Sequence, residues 1–319
     1  MNQLTRNSFK MFKNIYCYSL IYFLLSVYFS VYSVAANYAL ISDIGSSAQS
    51  IAMGNIDGFS DPATAVFDNP ASIQRTNKLN ASIFYSNFFD EIRYLNLSTS
   101  FKTLYGNFGM GFYSASVPGI PLTGISDDLD QSFYVKNYYS YSNSVFKAAY
   151  QRNISYRSSV GLSLALFYSK NHTISSFAKN LDFGLLHTIN HQLTLSVFAQ
   201  NIIPFMSANY SNGYSEPLPF TLSSSLAYDY RHFTIMPQLK YTNSHILKSL
   251  GLKWNVFNLS YINLLAGYKE QLDYTNTRHS KATIGFSLHL FGTNFYYAYE
   301  RSDYYLSDNH TYFSVNYAL

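Results

Sequence analysis

Charged side chains are scarce in this chain: Asp, Glu, Lys and Arg make up 12% of its 319 residues. A soluble globular domain carries about 25% of them. The formal net charge of +4 includes Arg6, Lys10 and Lys13, so removing the N-terminal stretch that holds these three cations lowers it to +1. This balance excludes the broad basic surface of a nucleic-acid-binding protein, and no nucleic acid is expected as a partner.

Cysteine and catalytic motifs are also nearly absent. The single cysteine, Cys17, lies in an apolar run near the N-terminus, so the rest of the chain supports neither a disulfide framework nor thiol chemistry. The stretch "GFSLH" (285–289) lacks the second Gly of a nucleophile elbow, and the eight His show no metal-ligand spacing. We therefore predict neither an enzyme nor a bound cofactor.

Long apolar runs are absent beyond residue 36. Residues 1–36 have a basic start, the apolar run "IYCYSLIYFLLSVYFSVYSV" and small residues ending at Ala36, which together predict a cleaved signal peptide. An uncleaved anchor helix is the alternative, because the run is long enough to span a bilayer. A membrane location for the remaining chain requires a closed β-barrel, since strands must satisfy every backbone polar group with a neighbour.

What the chain has instead is alternation. In "HQLTLSVFAQ" (191–200) Leu193, Leu195 and Val197 share one face and polar residues take the other, and "KATIGFSLHL" (281–290) repeats the pattern. The apolar face suits lipid and the small polar face suits a confined lumen. Tyrosines at segment ends match the aromatic girdles of a membrane barrel. The pattern predicts an all-β fold, a transmembrane antiparallel β-barrel, with a soluble secreted β-protein as the alternative.

About fourteen such segments fill the predicted barrel region, residues 79–319, and twelve or sixteen stay open as counts. They lie near 79–88, 92–103, 106–115, 143–152, 157–169, 177–188, 191–202, 218–230, 232–242, 247–257, 259–269, 280–291, 293–301 and 310–319. Connections after even-numbered segments are tight, whereas several after odd-numbered ones, such as 116–142 and 203–217, are long. Short turns at one end and long loops at the other are typical of outer-membrane barrels.

Two features interrupt the alternation. Residues 37–78 do not alternate, and Asp61 before Pro62 and Asn69 before Pro70 each predict an N-cap followed by Pro at the first helical position. A stretch of this length has no room for a core of its own, so we predict a short N-terminal hatch, or plug, folded into the lumen. Pro237, inside the ninth segment, removes a ladder hydrogen bond and predicts a bulge or kink.

The stretch from Gly45 to Ile73 resembles the N-terminal motif of the FadL-like outer-membrane superfamily, and within it the PorV/PorQ (UPF0164) group. The residues at matching places are Gly45, Ala48, Met53, Gly54, Asp61, Asn69, Pro70 and Ala71. "LLAGYK" (264–269) and "IGFSL" (284–288) are similar to the closing strands of PorV-type proteins. The chain departs from the motif at Asn55 and Ser72, where Gly is usual, and at Leu319, where barrel-assembly signals favour Phe.

The resemblance implies a fourteen-stranded barrel with an N-terminal hatch in a bacterial outer membrane, in contact with its lipid and lipopolysaccharide. FadL-type members move long-chain fatty acids or other hydrophobic compounds, so we expect a hydrophobic ligand and an apolar pocket inside the barrel. PorV-type members act as accessory barrels of type IX secretion, and binding of secretion-system components is the alternative function. The hatch or gating candidates are Met53, Gly54, Asp61, Asn69, Pro70 and Ala71. Pro237 is the strand-kink candidate, because FadL-type barrels use a kinked strand to open laterally.

Overall fold

The structure, a computed structural model, describes residues 44–88, 91–125, 133–256, 261–272, 276–301 and 310–319. These residues belong to the second of two compact units of the chain, Ala35–Leu319. The predicted signal peptide, residues 1–36, lies outside the described residues and stays a prediction, as does the start of the predicted hatch, residues 37–43.

The fold is a closed antiparallel β-barrel. Its strands are β1 (Leu79–Phe88), β2 (Ile92–Thr103), β3 (Gly106–Ile125), β4 (Phe133–Asn153), β5 (Ser158–Asn171), β6 (Ile174–Asn190), β7 (Leu193–Gln200), β10 (Thr221–Tyr230), β11 (Phe233–Thr242), β12 (His245–Asn255), β13 (Ile262–Leu272), β14 (Arg278–Leu290), β15 (Thr293–Glu300) and β16 (His310–Ala318), and β8 (Ser207–Tyr210) and β9 (Ser215–Pro217) form a hairpin beside β6. Of the sixteen strands in the described residues, the fourteen outside that hairpin pair with their neighbours, β1 with β16 and β5 with β6 among them, so the ring closes. The prediction of about fourteen strands is confirmed.

Alternation places the side chains as the sequence predicts. On β5, Leu162 and Leu164 are 46% and 42% exposed, whereas Ser163 between them is buried. Successive strand residues point to opposite sides of a sheet, so apolar residues cover the outer wall. The inner wall carries small and polar residues together with buried aromatic rings such as Phe84, Tyr94 and Phe167. Among the described residues, no helix is long and apolar enough to cross a bilayer.

The two ends of the barrel differ in their connections. Turns of a few residues follow β2, β4, β6, β10 and β14, and we call this the short-turn end. The turn after β10 has Arg231 at φ 53°, and the turn after β14 has Phe291 and Gly292 at φ 50° and 76°, the left-handed backbone that tight hairpins need. We call the opposite end the long-loop end. It carries the β3–β4 connection and the β8–β9 hairpin.

Two predicted loops are partly strand. β3 runs to Ile125 and β4 begins at Phe133, so much of the predicted loop 116–142 is a hairpin that continues beyond the barrel, and 203–217 contains β8 and β9. The barrel alternation is lost there because both faces of the hairpin are largely exposed. A two-sided surface places no demand for an apolar face, so the sequence pattern that marks the barrel strands is missing.

Pro237 interrupts one ladder without shifting its register. β11 pairs with β10 from Ser225↔Gln238 and again from Tyr228↔Ile235, and the two pairs between these are missing. Pairing with β12 runs through Pro237↔Leu250 unbroken. The interruption therefore faces β10, where proline has no N–H to donate. The ladder is broken there, and neither neighbouring pairing shows the register shift of a bulge.

Candidate functional site

The candidate site is the N-terminal segment, defined here as residues 44–76, together with the wall that it contacts. It contains α1 (Ala48–Ala52), α2 (Ala65–Asp68) and the 3₁₀ helix η1 (Pro70–Arg75). Helix α1 packs on β13 to β16, α2 on β3 and β4, and η1 on β3 to β6. Most of the segment is buried, and its partners in the wall are inward-facing residues. The role of this segment as a hatch stays a prediction.

Asn69 connects the segment to two neighbouring strands. Its Oδ1 accepts a hydrogen bond from the backbone N–H of Ala71 at 2.9 Å, which makes it the N-cap of η1, as the Asn-Pro pair predicts. Its Nδ2 lies 2.8 Å from Ser196 Oγ and 3.2 Å from the carbonyl oxygens of Leu185 and Val197. Leu185 on β6 and Val197 on β7 are directly paired, so a single buried amide bridges both strands.

A pair of wall glycines receives Pro70 and Ala71. Gly161 on β5 and Gly184 on β6 are directly opposite each other in the sheet. A Cβ on Gly161 would lie 2.7 Å from the carbonyl oxygen of Pro70, and a Cβ on Gly184 would overlap Asn69 Oδ1. Ser159, which is on β5 like Gly161, donates from its Oγ to the Ala71 carbonyl at 3.0 Å. The backbone of η1 can approach the wall this closely because the wall has no side chains there.

A second glycine pair receives Met53 and Gly54 on another part of the wall. Gly251 on β12 and Gly267 on β13 are also directly paired. A Cβ on Gly251 would lie 2.7 Å from the Met53 carbonyl oxygen, and one on Gly267 would lie 2.7 Å from the Met53 carbonyl carbon. Gly54 itself has φ +75°, which favours glycine. Both motif elements of the segment, Met-Gly and Asn-Pro-Ala, are thus held at cross-strand glycine pairs.

Asp61 does not act as an N-cap, which corrects the sequence prediction. Helix α2 begins only at Ala65, and its N-cap position, Thr64, makes no side-chain capping bond. The Asp61 backbone carbonyl accepts from the N–H groups of Thr64 and Ala65 at 3.0 Å, and its carboxylate accepts from the amide of Asn316 on β16. The Asp61 side chain is drawn to the wall, and the turn before α2 is closed at the Asp61 carbonyl, which also accepts from the Thr64 hydroxyl at 3.0 Å.

The segment holds a buried carboxyl, Asp68, and a more exposed cation, Arg75. Burial raises the pKa of Asp68 to about 7, and the neighbouring Asp57 adds to the rise, while the hydrogen bond from Ser46 at 2.9 Å and the charge of Lys147 oppose it. The Arg75 guanidinium donates to the backbone carbonyls of Ser60 and Gly58 at 2.6 and 3.2 Å. Carbonyl oxygens thus take up the donors of this cation and tie η1 to the loop before α2.

The inner wall carries buried ion pairs of its own. Lys147 Nζ on β4 lies 2.7 Å from Asp182 Oδ2 on β6, and the Asp182 carboxylate also accepts from Ser163 and from the backbone N–H of Asn201. On the other side of the barrel, Glu300 bridges Lys269 at 2.8 Å and Lys281 at 2.9 Å. The inner wall therefore holds paired charges as well as small residues.

Two small cavities lie between the segment and the wall. One, of about 40 Å³, is lined by Asp68, Lys147 and Gln200 among others, and the other, of about 50 Å³, by Gln238 and Lys269 among others. Both hold a few water molecules at most, and neither is the apolar pocket that a conduit predicts. In the described parts of the chain, no group of His, Cys, Asp and Glu could hold a metal ion.

The structure brings together most of the predicted residues, and it adds residues that sequence reasoning missed. Met53 and Gly54 meet one glycine pair, Asn69 to Ala71 meet the other, and Asp61 meets β16. Pro237 lies on the outer wall, but its neighbour Gln238 donates to the Asn55 carbonyl at 3.1 Å and accepts from the Asp57 N–H at 2.8 Å. The glycine pairs were missed because alternation assigns a face to each glycine but not its partner across the sheet.

Comparisons with known proteins give the fold. The toluene transporter TodX of Pseudomonas putida is 13% identical with a TM-score of 0.59, over 85% of this chain and 96% of that one. The toluene transporter TbuX of Ralstonia pickettii is 9% identical with a TM-score of 0.59, over 86% and 98%. A FadL homologue of Pseudomonas aeruginosa is 8% identical with a TM-score of 0.54, over the same shares.

These identities are low enough that the likeness shows the fold alone. The predicted resemblance to FadL-like barrels is therefore confirmed as a fold, and the PorV/PorQ type stays a prediction. No protein-family model matches the sequence, and no curated protein matches it either.

Proposed function

We propose that this chain is a conduit for hydrophobic compounds in a bacterial outer membrane, with residues 44–76 as its hatch. The observation that supports this function is a closed barrel whose inner wall is built, through two glycine pairs and Asn69, to hold an N-terminal segment. TodX and TbuX, which share the fold, are toluene transporters. The apolar outer wall suits lipid, and the long-loop end would face outward.

The hatch must shift for a compound to pass. The two cavities beside the segment are too small for toluene or a fatty acid, and buried hydrogen bonds fix the segment to strands on several sides. A lateral exit would bypass the part of the interior that the segment fills. The break in the β10–β11 ladder at Pro237 is our candidate, because Gln238 next to it holds the backbone at Asn55 and Asp57. Movement of the segment would then loosen the wall beside Pro237.

Uptake by cells tests the proposal directly. The full chain is produced in a host whose own FadL-type channel is deleted, and entry of labelled toluene and of a labelled long-chain fatty acid is measured. We expect faster entry of at least one compound than in cells with an empty vector. Unchanged entry of both, with the folded barrel present in the outer membrane, would reject the conduit.

An accessory role in protein secretion is the competing prediction, together with partners from the secretion machinery. In the native host, this role predicts that the chain co-purifies with secretion components. It also predicts that uptake of hydrophobic compounds is unchanged after deletion of the gene. Enzyme activity is not part of either proposal.

A further inference from the structure

A third cavity, of about 310 Å³, opens at the long-loop end. It lies between the β8–β9 hairpin on one side and the ends of β4, β5 and β6 on the other. Cavities of about 300–1,000 Å³ are the size that holds small organic ligands. This cavity is several times larger than the two beside the N-terminal segment. A molecule that enters from the long-loop end would reach it first.

The hairpin directs particular side chains into this cavity. β8 pairs with β6 at Ser176↔Tyr210, and Ala208 pairs with Glu216 across the hairpin. Ala208 is fully buried. Residues two apart, or directly opposite, share a face of a sheet, so Tyr210 and Glu216 lie on the buried side with Ala208, toward the cavity that both of them line.

The lining carries negative charge and aromatic rings. Glu216 is buried, and its Oε2 accepts a hydrogen bond from the Tyr210 hydroxyl at 2.8 Å. It is the one charged residue among the lining residues in the described parts of the chain. The Tyr210 and Tyr214 rings lie 5.6 Å apart, and Tyr141 contributes a third ring from β4. Aromatic faces carry partial negative charge.

We propose that this cavity binds a small organic cation, an amine or quaternary ammonium with apolar substituents. A carboxylate together with several aromatic faces attracts such a cation, and the apolar substituents fit against the tyrosine rings and Ile174. A carboxylate ligand such as a fatty acid is disfavoured because it would meet Glu216 at close range. The inference rests on the proposed function only in placing this cavity on the path of a transported compound; the binding itself is measured without transport.

Calorimetric titration of the purified full chain tests the binding. Dodecyl maltoside serves as the detergent because its head group has no ammonium to compete. The three probes are benzyltrimethylammonium, its uncharged isostere neopentylbenzene, and the anion phenylacetate. We expect the cation to bind most tightly and its affinity to fall as salt is added, since salt screens the attraction to Glu216. Equal affinity for the cation and the neutral isostere would overturn the inference.

Variants locate the site. Glu216→Gln should weaken binding of the cation about tenfold or more, whereas Asp229→Asn, which removes an exposed carboxylate at the short-turn end, should leave it unchanged. If Glu216→Gln does not fold, Tyr214→Leu replaces it, because Tyr214 is 60% exposed and a change at an exposed side chain usually costs little stability. Wild-type affinity in the folded variant would reject the site. Cation binding without uptake would overturn the conduit alone, and uptake without cation binding would overturn this inference alone.

Discussion

Asn69 serves three structural elements with a single amide. It caps η1 through the Ala71 N–H, and it reaches carbonyl oxygens on both β6 and β7. Because Asn69 is completely buried, none of these bonds can be replaced by water without opening the packing. The residue therefore acts on the position of the segment rather than on the barrel, whose strands are joined by their own ladders.

Replacing Asn69 by Ala should leave the barrel folded and change transport. We expect the docked position of the segment to be destabilised by about 2–4 kcal/mol, because the helix cap is lost and buried groups are left without partners. Barrel folding is checked by heat-modifiable migration in gels, and transport by uptake of labelled toluene. Asn190→Ala, at the exposed last residue of β6 at the short-turn end, is the control. Normal uptake in folded Asn69→Ala would reduce the Asn-Pro pair to an ordinary capped turn.

Asp68 should make the segment sensitive to pH. Its pKa rises from an ordinary 3.8 to about 7 in the docked segment, so docking is favoured while the carboxyl keeps its proton. This contribution to stability is complete below about pH 4 and is lost as the pH rises toward 7. Above that pH the ionised carboxylate stays buried beside Asp57 and weakens docking.

Hydrogen-exchange protection factors of residues 44–76 measure this dependence, since they already correct for the intrinsic effect of pH on exchange. We expect protection in the wild type to be greater at pH 5 than at pH 8, and Asp68→Asn to remove most of the difference. Two carboxylates line the same space, so Asp57→Asn is informative too: it should lower the pKa of Asp68 and shift the loss of protection to lower pH. If Asp68→Asn keeps the pH dependence of the wild type, another group causes that dependence.

At the scale of elements, two cross-strand glycine pairs decide where the segment rests. Gly161 with Gly184, and Gly251 with Gly267, remove side chains from two inward-facing places in the wall. The segment's backbone occupies both. A wall of small residues alone would leave the segment free to slide, whereas a bare patch bounded by larger neighbours fixes one position.

Gly184→Ala should displace η1 from β6. The added Cβ would overlap Asn69 Oδ1, and relieving such a clash typically costs about 1–3 kcal/mol. Limited proteolysis should then cut within residues 55–76 more readily than in the wild type. Gly124→Ala is the matched control, because its Cβ would meet only the flexible side chain of Lys136 on the β3–β4 hairpin. Equal protection of the segment in both variants would contradict the docking role of the pair.

The predictability of these elements follows from how local their causes are. β1 and β2 have the bounds that alternation predicts, because a wall between lipid and lumen imposes its pattern on every residue. The Asn69 cap was also predictable, since it needs only the next two residues. Asp61 has the same local signal, yet Asn316, 255 residues away in the chain, takes its carboxylate. The glycine pairs and Glu216 depend on strand register and on the β8–β9 hairpin, which period-two patterns do not specify.

At the scale of the molecule, the interior and exterior follow opposite rules. The outer wall exposes leucine, isoleucine and tyrosine around the ring, while the inner wall buries ion pairs such as Lys147–Asp182 and the bridge of Glu300 to two lysines. A soluble protein would reverse the exterior pattern. The barrel is therefore suited to a bilayer, and its two unlike ends predict a direction across it: the short turns would face inward and the cavity at Glu216 outward.

Thiol labelling on intact cells tests that direction. Beyond residue 36 the chain has no cysteine, so single cysteines report cleanly. Tyr138→Cys lies on the protruding β3–β4 hairpin and Tyr156→Cys in a short turn, at side chains that are 64% and 89% exposed. A membrane-impermeant maleimide should label the first in intact cells and the second only after the outer membrane is permeabilised. The unsubstituted chain should stay unlabelled, because the predicted cleavage after Ala36 would remove Cys17. Labelling of Tyr156→Cys alone in intact cells would show that the barrel has the opposite orientation. The cavity at Glu216 would then face the periplasm and could not be the entry of an uptake conduit.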